Sequence, residues 1–482
     1  MTGASRPAAP RPVELPSILG DIHPRPRWTE TRLLLIVGVA LIVGSISLGA
    51  GLTGRLAPYE PTLLVIYLLT LAGAHVANVL AGRRSDEVLL PVVGLLGGIS
   101  LLLMQRLPQD LVTINVAGST LGLGAVQLIW LVLAIIVATT LGIVVRSDSW
   151  LRQYKYTWAA AGIGLLLLTF VFGTDVAGQR LSLRIGPFAG QPSELLKVIL
   201  VVFLAGYLSE NRPMLIEQDT RIGPIRLPPL PYLAPMVAMW AIALLIVVIQ
   251  RDLGAALLFF AVFLALVYAA TGRISLVVIG AILFFAGSAL MANIFPHVRD
   301  RIDIWLDPFA DPLGSGYQIV QSLLAFARGG LIGVGLGQGL PTVGGRPPIP
   351  EVHTDFPLAA LGEELGLVGV IAILGLFFVV IERGLRIGAA AADDFRAILA
   401  TGLALVIGVQ AFIIAAGNLK VLPLTGVTLP FISYGGSSLL VNALVVGLLL
   451  ALSDRGVEPP PPPADTGRGR WWFDRLRPRR AR

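Results

Sequence analysis

The chain has 482 residues, 55% of them hydrophobic and only 13% charged, with a net charge of +7. Soluble domains carry about 25% charged residues, so most of this chain belongs in lipid. It has no cysteine, which excludes disulfides, thiolate metal sites and cysteine nucleophiles, and its four histidines, His23, His75, His297 and His353, show none of the ligand spacings of a zinc enzyme.

In chain order, residues 1–31 are polar and rich in Pro and Arg, too long and too broken for the start of a cleavable signal peptide. Apolar runs then predict spans near 32–53, 62–81, 88–105, 126–145, 156–173, 192–208, 232–250, 253–271, 274–293, 356–382, 397–417 and 428–452. The expected fold is an all-α polytopic membrane protein of about 12 transmembrane helices. The even number puts both termini on one side. The basic N-terminus, Arg83-Arg84, the loops bearing Arg146, Arg152 and Lys155, Arg212, Arg221 and Arg226, Arg273, and Arg383, Arg386 and Arg396, and the C-terminal tail share that side. Their charge makes it cytoplasmic. The 294–355 loop then lies outside. A polar loop of roughly 60 residues is usually functional or disordered, and the regular glycines and few charges of its last part suit backbone packed against itself. The tail, 453–482, starts with a polyproline spacer at Pro459–Pro463. It ends in seven arginines and one aspartate over 467–482, with Trp471 and Trp472. Beside a final span this composition fits membrane lipids of an anionic leaflet, with no nucleic-acid role.

Several polar residues sit where an apolar chain would not place them by default. Gln191-Pro-Ser-Glu194-Leu-Leu-Lys197 opens the sixth span; Glu194 and Lys197 are three apart and share a helix face. They read either as a structural ion pair or as the wall of a polar cavity. Asp355, Glu363 and Glu364 bring three carboxylates to the tenth span, with Glu363 roughly 12 Å along the helix from Asp355. An acid at that depth must face protein or water, and pairing with Lys197 or an outer arginine weighs equally with catalysis. Asp252 can cap the helix after it or orient Arg251. Phe431-Ile-Ser433-Tyr-Gly-Gly-Ser-Ser438 is a polar patch at the last span, which means close packing or unwound backbone. Arg180, Arg184, Arg251, Arg299, Arg301, Arg328 and Lys420 fall on the outer face. Any one can snorkel to the headgroups; as a group they suit a lipid-linked pyrophosphate.

Five segments in register resemble the SEDS family (shape, elongation, division and sporulation): GQPSELLK at 190–197, QRDLG at 250–254, the block from Leu306 to Gly339, PEVHTDFPLAALGEELGLVG at 350–369 and LPLTGVTLPFISYGGSS at 422–438. The resemblance covers about residues 88–452 and implies a ten-helix catalytic membrane domain there, with 32–87 as two additional N-terminal helices peripheral to it. It implies a peptidoglycan glycosyltransferase that polymerises lipid II on the outer face of the bacterial cytoplasmic membrane, in elongation or division. The partners implied are undecaprenyl-pyrophosphate-linked glycan and a class B penicillin-binding protein. The family's essential acid lies in its DPxGxGYQ motif, here Asp311 to Gln318, so Asp311 is the expected catalytic residue. The expected substrate-binding residues are Arg180, Glu194, Lys197, Arg251, Tyr317, Gln318, His353, Asp355, Glu363, Lys420 and Ser433. No dedicated metal site is expected; a divalent cation, Mg or Mn, is compatible with the leaving pyrophosphate. Departures from the pattern are the missing Trp after Arg180, QRDLG in place of QPDLG, and the extra helices. The competing functions are a flippase or transporter of a lipid-linked precursor and a non-catalytic scaffold of a cell-wall complex.

Overall fold

The computed structural model describes residues 24–116, 119–176, 179–185, 188–217, 220–222, 225–227, 229–249, 252–340 and 346–454. Among these, helices run in the order α1 (Trp28–Thr53), α2 (Pro61–Leu80), α3 (Leu89–Arg106), α4 (Leu123–Val144), α5 (Ser149–Gln153), α6 (Lys155–Phe172), α7 (Pro192–Glu217), α8 (Leu230–Ile249), α9 (Leu253–Thr271), α10 (Ile274–Ile294), α11 (Pro296–Leu306), α12 (Tyr317–Gly329), α13 (Pro357–Ala390), α14 (Asp394–Asn418) and α15 (Gly436–Ser453). Eleven of them are long and apolar enough to cross a membrane, so the chain is a multi-pass membrane protein. The span expected at 232–250 coincides with α8, a further apolar helix outside those eleven.

Burial ranks the helices. In α7 83% of the apolar window is covered and in α14 78%, against 28% in α1, α2 and α6 and none in α10. The bundle is therefore built around α7 and α14, with α9 packed on both and α3 between α1, α4 and α13. Short antiparallel ladders, invisible to a hydropathy reading, fill the turns: β1 (Ile114–Val116) with β2 (Ser119–Leu121), β3 (Thr174–Val176) with β4 (Gln179–Ile185) and β5 (Phe188–Gly190), and β6 (Thr220–Ile222) with β7 (Ile225–Leu227).

Two expectations need correction. The last helix starts at Gly436, so Phe431-Ile-Ser433-Tyr434 lies ahead of it. Residues 419–435 are mostly irregular, and side chains of Trp305, Arg301, Gln410 and Ser100 donate to their carbonyls at Lys420, Leu424, Thr428 and Ile432. Arg83 is also more than a topogenic charge. It is buried, donates to the Ile143 carbonyl and pairs with the buried Asp454, tying the ends of α4 and α15. Nearby, Arg27 donates to Glu30 and to the Ser85 and Asp86 carbonyls, and His75 Nδ1 meets Glu30 Oε1 at 2.7 Å. These contacts stay on the N-terminal side of the expected boundary at residue 87, whereas those of Arg83 with Ile143 and Asp454 cross it.

The loop between α10 and α13 is folded against the bundle. α13 breaks at Gly366, where φ is 66° and ψ −170°. A break strands two carbonyls and two amides, each costly in a membrane. The glycine-rich segment after α12 satisfies all four. Val334 N donates to Glu363 O at 3.0 Å and Gly335 N to Glu364 O at 2.9 Å, while Leu367 N and Val368 N donate to Gly330 O and Leu331 O at 2.9 and 3.1 Å. Only glycine permits this approach: a Cβ on Gly333 would stand 2.2 Å from Glu364 O, and one on Gly366 2.3 Å from Gly333 N.

Candidate active site

Asp311 sits in the turn between α11 and α12. Its Oδ1 accepts from Gly314 N at 3.1 Å; its Oδ2 accepts from Ser315 N at 2.8 Å and Ser315 Oγ at 3.2 Å. The motif's glycines follow from this turn. A Cβ on Gly314 would lie 2.2 Å from Asp311 Oδ2, and one on Gly316 2.0 Å from Pro308 O. The carboxylate is fully exposed, and the Ser315 amide above all, with the Ser315 hydroxyl and Gly314 amide, holds its pKa below the ordinary aspartate value. It is ionised at neutral pH, and Oδ1, with one hydrogen bond, keeps a lone pair for a hydroxyl. Asp307 plays a smaller part, accepting from Phe309 N at 3.1 Å to cap a single turn. Tyr317 and Gln318 open α12 next to this turn and are half-buried.

A second polar group lies inside the bundle. Lys197 on α7 is 1% exposed and its Nζ meets Glu194 Oε2 at 2.6 Å, as the spacing predicts. It also donates to Gln410 Oε1 on α14 at 2.7 Å and to Asn442 Oδ1 on α15 at 3.5 Å. Gln410 continues to Thr428 O and Oγ1, and Thr428 Oγ1 meets Ser438 Oγ at 2.7 Å. Sequence reading missed Gln410, Asn442 and Thr428, whose only signal is an uncharged polar residue in an apolar run. Asp252 caps α9 through Ala255 N at 3.0 Å and accepts from Gln191 and Ser193 beside Glu194. Arg251 lies outside the described residues. Arg180 is placed by its backbone in β4 opposite Asp175, with its side chain outside the description.

The two glutamates of α13 divide. Glu363 Oε1 accepts from Leu340 N at 3.0 Å and pairs with Arg328 at 3.3 Å. Glu364 pairs with Arg106 at 3.1 Å and accepts from Gly337 N at 3.0 Å. Arg106, at the end of α3, was not foreseen as a partner. Neither glutamate reaches Lys197.

Around the start of α13, His353 is buried; its carbonyl accepts from Tyr434 N at 2.8 Å, and burial lowers its pKa. Ser433 is also buried and joins two backbones, accepting from Leu429 N and donating to Thr354 O. Lys420 donates to Leu306 O at 3.3 Å and Arg301 to Leu424 O at 3.0 Å, so both cations tie α11 to the segment after α14. Asp355, outside the spans, is pushed up to about 6 by burial first and then by Glu351, against the pull of Arg301. The fold therefore prefers its neutral form. Stability from this group is fully present below pH 3.8 and is lost as pH rises through about 6. Asp355→Asn should be more stable than the native chain near pH 8 by about 2 kcal/mol, discounted because the residue is half-buried. The gap should close near pH ~4, read as Tm in detergent. An equal gap at both would contradict the burial of Asp355. Among the described residues no three His, Asp or Glu converge to hold a metal ion.

The FtsW/RodA/SpoVE family, described as cell cycle proteins, matches residues 87–456. This chain belongs to it. The SEDS family member is 38% identical to the peptidoglycan glycosyltransferase RodA of Mycobacterium tuberculosis over 435 residues, 89% of this chain and 91% of that one. It is 42% identical over 294 residues to the probable peptidoglycan glycosyltransferase FtsW of Nitrosococcus halophilus, covering 60% of this chain and 72% of the relative. Among solved structures it is similar, with a TM-score of 0.61 and 27% identity, to a chain of a peptidoglycan synthase complex described as coordinating polymerization and crosslinking; the match covers 77% of this chain and 98% of that one.

Proposed function

We propose that this chain is a peptidoglycan glycosyltransferase that polymerises lipid II on the outer face of the cytoplasmic membrane, with both termini inside. The observation that carries the reading is the exposed, ionised Asp311 held by its own glycine turn, in a chain whose relatives are named peptidoglycan glycosyltransferases. Asp311 accepts the proton of the acceptor sugar's 4-hydroxyl as that oxygen attacks the donor's anomeric carbon. The bond from that carbon to the lipid pyrophosphate breaks, and the electron pair leaves on the phosphate oxygen. Attack from the opposite side inverts the carbon and gives a β-1,4 link. The leaving charge needs cations; Arg180, Arg251, Arg301 and Lys420 supply them, and Tyr317, Gln318 and Asp355 flank the acceptor side. Among the described residues no three His, Asp or Glu converge on a place for a divalent ion. A class B penicillin-binding protein would crosslink the product.

A test uses the cysteine-free chain. Ser315→Cys keeps the backbone bond to Asp311 and places a thiol beside it. An impermeant maleimide added to intact cells should label it and stop polymerisation, while the native chain is indifferent and a cysteine at Thr466 stays unlabelled. Labelling at Thr466 but not at Ser315 would invert the topology and remove the substrate argument.

A further inference from the structure

The family match begins at residue 87 and leaves α1 and α2 outside it, yet α1 reaches the loop that carries Asp311. Near its C-terminal end, Gly51 O accepts from Gln338 Nε2 at 2.8 Å. A Cβ on Gly51 would stand 2.3 Å from Leu336 O and 3.2 Å from Gly337 Cα; one on Gly337 would stand 3.3 Å from Leu48 O. The same short segment is held from the other side by the bond of Gly337 N to Glu364 and by Arg106, which donates to Gly339 O at 2.9 Å. Val334 and Gly335, just before it, close the break in α13. α12 leads to this segment through residues 330–335, and its first residue, Tyr317, follows the Asp311 turn.

We propose that α1 belongs to the catalytic framework: its C-terminal end clamps residues 336–338 against the break in α13 and so fixes α12 and the turn bearing Asp311, with Gly51 and Gln338 as positioning residues. The inference rests on the catalytic reading of Asp311 and overturns the expectation that the N-terminal pair is peripheral. The alignment with the mycobacterial relative takes in 89% of this chain, too much to fit within residues 87–456, so it extends into the N-terminal region.

The test compares full-length variants. Ordinary contact begins at 3.4 Å, so any side chain at Gly51 must push the segment away by about 1 Å. Gly38, on the same helix, has open space around it. Gly51→Val should lower kcat for lipid II on the order of 10²-fold with KM little changed, the effect of a reacting group displaced by about 1 Å. Amide hydrogen exchange should rise at Val334–Gly337 and not in α7 or α14. Gly38→Val should match the native chain in both. Gln338 is exposed and its variant tests the clamp without threatening the fold: Gln338→Ala should lower kcat about threefold, and Gln338→Lys, which keeps a donor, should restore it. Native exchange at 334–337 in Gly51→Val would overturn the clamp whatever Asp311 does. Raised exchange with native kcat would overturn its catalytic role. A native rate in Asp311→Asn would overturn the reading of the site and leave the exchange result standing.

Discussion

Asp311→Asn should lower glycan polymerisation by about 10²-fold or more, the loss expected when a general base is removed, with little change in Tm. Asparagine keeps an oxygen for Gly314 N, but its amide nitrogen would face Ser315 N, donor against donor. The group is fully exposed, so that conflict is relieved by water and the fold survives. The hydrogen bonds that hold Asp311 low also make it a weaker base than a free carboxylate, while keeping it ionised at every working pH. Asp307→Asn should be much milder, since Asp307 only caps one turn. A near-native rate and polymer length in Asp311→Asn would end the assignment.

Glu194→Gln should destabilise the chain by about 3 kcal/mol, because it leaves the Lys197 ammonium buried without its counter-charge. The ammonium would retain Gln410 and Asn442, which are neutral. Adding Lys197→Met removes the stranded charge and should recover most of that loss. Recovery stays incomplete, since Gln410 Oε1 then lacks its donor, at a cost of about 1 kcal/mol. Polymerisation should remain low in the double variant, because the network joins α7, α14 and the segment ahead of α15. Full polymerisation by the double variant would show the pair to be structural alone. Tm in detergent and initial rate with labelled lipid II separate the two effects.

The spans were legible because lipid demands long apolar runs, and the Glu194–Lys197 pair because three residues on a helix make neighbours. Asp311 was legible only through its motif; the turn then supplied the reason for Gly314 and Gly316. What the sequence could not announce depends on tertiary contact. Gln410 and Asn442 are single polar residues whose partners lie on other helices. Arg106 finds Glu364 across hundreds of residues. The break at Gly366 is invisible to hydropathy because Leu365, Leu367 and Val368 keep the run apolar. Arg83 looked like a topology signal because a buried arginine and an exposed one are spelled alike. The contact of α1 with the outer loop was hidden for the same reason: it joins the Gly51 backbone oxygen to the Gln338 side-chain amide.

The most direct measurement supplies the purified chain alone, in proteoliposomes, with labelled lipid II, and resolves the products by size. The expected result is a ladder of glycan polymer that a muramidase digests, made without any transpeptidase. Transfer of labelled lipid across the bilayer with no polymer would contradict it and make the protein a transporter of the precursor.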